Sequence, residues 1–129
     1  MKNIGIWILR IIAAGIMLQT LYFKFSAAPE SVYIFSTLGL EPYGRIGIGI
    51  LELIASLLIL LPFTTGFGAL LAIGLMTGAI LSHFAVLGIV VMNDGGQLFI
   101  YSLLVFTASI ILSWVYRSQL VELFKKLTK

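Results

Sequence analysis

Apolar residues fill this chain in four long blocks, at about residues 4–23, 46–63, 67–92 and 97–116, and polar side chains interrupt them at few points. Each block is near the ~20 residues a helix needs to cross a hydrocarbon layer of about 30 Å. None alternates with a period of two, and only helices or closed barrels satisfy their own backbone in lipid. The pattern therefore predicts four transmembrane helices. The links Pro62–Gly66 and Asn93–Gly96 are short and turn-like, which makes successive helices antiparallel neighbours. The third block is the longest and predicts a tilted or protruding helix. The first block is expected to be retained: it carries Arg10, it exceeds a signal-peptide core, and Pro29 follows its small-residue site Ser26-Ala27-Ala28.

Between the first two blocks the polarity changes twice. Helix 1 ends in Gln19, Thr20, Tyr22 and Lys24, and apolar residues resume straight after Pro29. Pro29 suits the first position of a helix, Glu30 its first turn, and Gly39 followed by Leu40 a C-terminal cap. Val32, Phe35 and Leu38 would then share one apolar face. The fold predicted is all-α: an integral membrane four-helix bundle with a short interfacial helix between helices 1 and 2, lying over the bundle's outer mouth.

Composition agrees. Of 129 residues, 60% are apolar and 10% charged, against ~25% charged in soluble domains. A chain this short cannot bury that much apolar surface in itself, so the lipid bilayer takes up the excess. The net charge of +3 bears on orientation, and nothing in the pattern suggests a nucleic-acid footprint. The absence of cysteine removes thiolate chemistry, iron–sulfur clusters and thiolate zinc.

Lys2 precedes the first helix, and Arg117, Lys125, Lys126 and Lys129 follow the last, whereas Lys24 and Arg45 flank the first loop beside Glu30 and Glu41. The positive-inside rule places both termini in the cytoplasm of an inner membrane. The tail VELFKKLTK reads as an amphipathic helix end on the inner surface.

That orientation brings the embedded polar groups to one depth. Gln19, Thr20 and Lys24 lie at the outer end of helix 1, Glu52 roughly 9 Å in from the outer end of helix 2, and His83 roughly 24 Å up helix 3. Gln97 and Tyr101 begin helix 4 at the same level. Arg45, Gly49, Glu52 and Ser56 share one stripe of helix 2, and Arg10, Met17 and Lys24 one stripe of helix 1. Ionisable groups at membrane depth cost roughly 2.5–3.5 kcal/mol on insertion scales, so they face inward and pair. Lys24 and Glu52 are the natural ion pair, with His83 as a third member. Gln19, Arg45 and Tyr101 complete a cluster that is either a ligand site or a structural bond between helices. Arg10, near the inner end, is expected to snorkel. His83 has no second His, Cys or i+4 carboxylate beside it, so no metal site is expected. Gly74, Gly78 and Ser82 form a small-residue stripe that would bring helix 3 close to a neighbour.

Arg10 and Gly15 leading to Lys24, then Gly49-x-x-Glu52, a Pro62/Thr64 turn, Gly74-Leu-Met-Thr-Gly-Ala79 and His83 four residues beyond together resemble the DoxX family of small four-span membrane proteins, over roughly residues 4 to 112. The resemblance implies a four-helix membrane bundle. It also implies a role beside a quinone-linked oxidoreductase, as its accessory or membrane-anchor subunit, with quinone as the candidate cofactor and no catalysis by this chain alone. The alternative it leaves open is a non-enzymatic assembly or stability partner of other membrane proteins, as a monomer or homo-oligomer. A small transporter relaying protons through Glu52 and His83 fits less well, because no polar path continues past Ser56.

Overall fold

The computed structural model describes residues 2–26, 28–41, 43–89 and 95–128. Among them stand six helices and no strand: α1 (Lys2–Phe25), α2 (Pro29–Thr37), α3 (Tyr43–Leu60), α4 (Thr65–Leu87), α5 (Gln97–Val115) and α6 (Arg117–Leu127). The helices α1, α3, α4 and α5 are long and apolar enough to cross a membrane. Both α1 and α4 pack on α3 and on α5, so the four close into a ring with α1 and α4 on one diagonal. The chain is an all-α membrane bundle.

Several boundaries differ from the sequence pattern. The second span begins three residues earlier than expected and stops at Leu60, because the residue before Pro62 is disfavoured in a helix. The first runs on to Phe25. The third stops at Leu87 rather than near residue 92. Its last turn, His83–Leu87, widens to π-helical pitch, and Gly88 ends it at φ 77°, with its N–H on the His83 carbonyl at 2.7 Å. The end of the expected span, residues 90–92, and Asn93 of the expected turn lie outside the described residues, as do Lys129 and the side chains of Lys2 and Glu30.

Two buried arginines clamp the antiparallel pair α1/α3. Arg10 was expected to snorkel; instead it is 2% exposed. Its Nε donates to the Ile59 carbonyl at 2.9 Å and its Nη2 to that of Leu60 at 2.6 Å, while the guanidinium lies 3.8 Å over the Trp7 ring. The reason is the helix end. The last carbonyls of α3 have no partner within their own helix, and in lipid no water replaces one. Thr65 and Thr64 finish the cap, with hydroxyls on the carbonyls of Ile59 and Leu58 at 3.0 and 2.9 Å. At the opposite end Arg45, also buried, donates Nη1 to the Lys24 carbonyl of α1 and shares Nε–H between both Glu41 carboxylate oxygens at 2.9 and 3.0 Å.

Between these clamps the half of the bundle nearer the termini is tightly filled. Ala13 and Ala14 of α1, Ala55 of α3, Ala69 and Ala72 of α4 and Ala108 of α5 are all buried, and small residues let helices approach closely where lipid gives no hydrophobic drive. Gly68 marks the tightest point. A methyl group there would come within 2.7 Å of the Ile59 nitrogen and 2.8 Å of the Ala55 carbonyl. The stripe expected to do this work does not. Gly74 and Gly78 have nothing within 4 Å of an added Cβ, because both line an open cavity.

The tail is helical from Arg117 to Leu127 and buries no side chain. Gln119 ties it to the α3–α4 turn, donating to the Pro62 carbonyl and accepting from the Gly66 N–H, both at 2.8 Å.

Candidate functional site

In the half of the bundle under α2, a cavity of about 650 Å³ opens between α1, α3, α4 and α5. The cover follows from local sequence. Pro29 begins α2, and Gly39 at φ 76° ends it with paired bonds, Gly39 N–H to Ser36 and Leu40 N–H to Phe35. The short helix touches α1, α3 and the His83–Leu87 turn. The face it turns to the cavity is Ser31, Ile34, Phe35 and Leu38. The expected Val32, Phe35, Leu38 face is thus corrected by one register step: residues 31, 34, 35 and 38 follow helical spacing more closely, and Val32 falls outside it.

Apolar side chains form most of the wall, including Met17, Phe23, Ile48, Leu75 and Met76. The polar groups converge on it from all five surrounding helices. Lys24 Nζ lies 3.0 Å from Glu52 Oε1, with the carboxylate side chain 4% exposed and the lysine 16%. The Thr20 hydroxyl shares its one proton between the Met17 carbonyl at 2.9 Å and Glu52 Oε2 at 3.2 Å. The ammonium on Oε1 is what keeps a charge tolerable at this depth. The ammonium, with three protons and one directed at Glu52, retains donors for a molecule in the cavity. At the start of α5 the Gln97 amide donates to the Tyr101 hydroxyl at 2.7 Å, and both residues line the cavity.

The sequence-derived cluster is thus partly brought together. Lys24 and Glu52 pair, and Gln19, His83 and Tyr101 stand on the same wall, Gln19 at its exposed rim. Arg45 does not line the cavity. It shares a helix face with Glu52, but the α1 terminus sits closer and claims its guanidinium. His83 was expected to be the third member of the ion pair. Its ring instead bonds the Gly88 carbonyl through Nδ1 at 2.9 Å and meets Phe99 edge-on, centroids 5.5 Å apart. Ser31 and Ser102 line the cavity without having been singled out; Ser102 turns its hydroxyl back to the Phe99 carbonyl at 2.7 Å. The spacing of Ser31 to Ile34 and Phe35 was the signal that would have found the first.

The ion pair makes a prediction. Lys24→Met strands a buried carboxylate and Glu52→Met a buried ammonium, so each single change should lower stability by about 3–5 kcal/mol. The double change should cost clearly less than their sum. Thermal melting of the four proteins in one detergent checks this, and additive losses would show that the two charges do not support each other.

A family model described as the DoxX-like family matches residues 8–112, a stretch that contains every residue lining the cavity. No curated protein matches the chain, and no solved structure does. The match covers most of the chain and all four membrane helices in whole or in part, so this protein belongs to the DoxX-like family.

Proposed function

We propose that the protein is a quinone-binding membrane subunit, an accessory or anchor of a quinone-linked oxidoreductase that performs no redox chemistry by itself. The observation that carries this reading is the buried Lys24–Glu52 pair set in the wall of an otherwise mostly apolar cavity. Small-molecule sites are typically concave and apolar, about 300–1,000 Å³, with a few placed polar groups, and in helix bundles they lie between the helices. A lipid-soluble quinone matches that chemistry: an apolar ring and tail, and oxygens that accept hydrogen bonds. Lys24 donates to one of them, held in place by Glu52. The family resemblance supplies the oxidoreductase context.

In the same reading both termini lie in the cytoplasm and the cavity in the outer leaflet, supported by Arg117, Lys125, Lys126 and Lys129 after the last membrane helix. A reporter active only in the periplasm should work when fused after residue 40 and stay silent after residue 65. The reverse pattern would invert the topology.

The binding test uses a feature of α4. An added Cβ at Gly78 meets no atom within 4 Å, and Gly78 lines the cavity. Gly78→Leu should therefore fold normally yet obstruct the cavity. A short-tailed benzoquinone should raise the melting temperature of the purified protein and raise that of Gly78→Leu much less. A melting temperature indifferent to every quinone would turn the reading to its alternative, an assembly partner of other membrane proteins.

A further inference from the structure

His83 carries more information than its place on the wall. It is 5% exposed, and its Nδ1 lies 2.9 Å from the Gly88 carbonyl oxygen. A carbonyl can only accept, so Nδ1 holds the ring proton. The arrangement is fixed twice over, because the Gly88 N–H donates to the His83 carbonyl at 2.7 Å while Gly88 occupies a φ of 77°. Phe99 against the ring restrains its rotation. With Nδ1 engaged, Nε2 is the nitrogen that His83 can offer to the cavity it lines. In the neutral ring that nitrogen is a lone pair, an acceptor and not a donor.

This distinguishes the two redox forms of a quinone. Both oxygens of the oxidised ring are acceptors and would meet Nε2 lone pair to lone pair. Each hydroxyl of the reduced ring is a donor. Lys24 donates to either form and so adds affinity without discrimination. Glu52, another acceptor in the wall, is drawn to the Lys24 ammonium at 3.0 Å. The amide and hydroxyl groups of Gln19, Gln97 and Tyr101 can donate as well as accept, so they favour neither form. We infer that the cavity takes the hydroxyl-bearing quinol in preference to the quinone, with His83 Nε2 accepting a hydrogen bond from one hydroxyl. This inference rests on the cavity being a quinone site, and makes His83 its specificity-determining residue.

The experiment is a comparison of two ligands on the full chain in detergent. A decyl-chain benzoquinone and its hydroquinone are titrated anaerobically by calorimetry into wild type, His83→Phe and His83→Gln. The quinol should bind wild type about tenfold or more tighter, since a site with a buried polar group rejects the form that leaves it unpaired. His83→Phe keeps an aromatic ring against Phe99 and loses Nε2, so the ratio should fall towards one while quinone affinity changes little. His83→Gln, whose amide both donates and accepts, should restore part of the preference. If His83→Phe does not fold, the wild-type ratio and the His83→Gln variant still decide. Equal binding of both forms to wild type, or a preference that survives in His83→Phe, overturns the inference and leaves the quinone site standing. Binding of neither form overturns the site itself.

Discussion

The reciprocal capping of α1 and α3 by buried arginines is the contact on which the rest of the bundle depends. Each helix sends one guanidinium from near its beginning to the last carbonyls of the other, Arg10 to Ile59 and Leu60, Arg45 to Lys24. Four unpaired carbonyls at a helix end are tolerable in water and costly in hydrocarbon. Guanidinium answers the problem well, because its fork reaches two acceptors at once and its charge suits the negative end of the helix dipole. These bonds also fix the register of α1 against α3, and that register is what sets Lys24 opposite Glu52.

With that pair of helices locked, the bundle divides into unequal halves. The half near the termini is filled with alanine and closed by the Gly68 contact, where α4 approaches the α3 backbone too closely for any side chain. The other half keeps charge, hydroxyls and imidazole facing a cavity under α2. A rigid half and an open half in one small bundle make sense together: tight packing supplies the stability that the open end lacks, and the polar groups there hold their positions through bonds of their own. A preformed site loses less freedom on binding than one that must assemble.

Much of this was legible in the residues. Four apolar blocks gave four helices, Pro29 and Gly39 bounded the covering helix, and the 4, 3, 4 spacing from Arg45 to Ser56 correctly placed all four residues on a buried face. The Lys24–Glu52 contact followed from depth and phase. What escaped the sequence involved the backbone. Arg10 looked like a snorkelling residue because carbonyl groups leave no trace in a side-chain pattern. His83 looked like a partner for Glu52 because the π-helical turn that aims its ring at Gly88 has no periodic signature. Small residues gave an ambiguous signal: Gly68 joins helices, whereas Gly74 and Gly78 leave space.

The capping role of Arg10 is the claim that most directly carries this account, and replacing it with lysine separates capping from mere charge at the membrane surface. Lysine keeps the charge and snorkels readily, but it cannot reach two successive carbonyls with a planar fork. Thermal melting in a lipid nanodisc should show Arg10→Lys destabilised nearly as much as Arg10→Met, by roughly 2 kcal/mol or more for the charged hydrogen bonds lost. A wild-type melting temperature for Arg10→Lys, with loss only in Arg10→Met, would contradict the account and return Arg10 to a simple interfacial anchor.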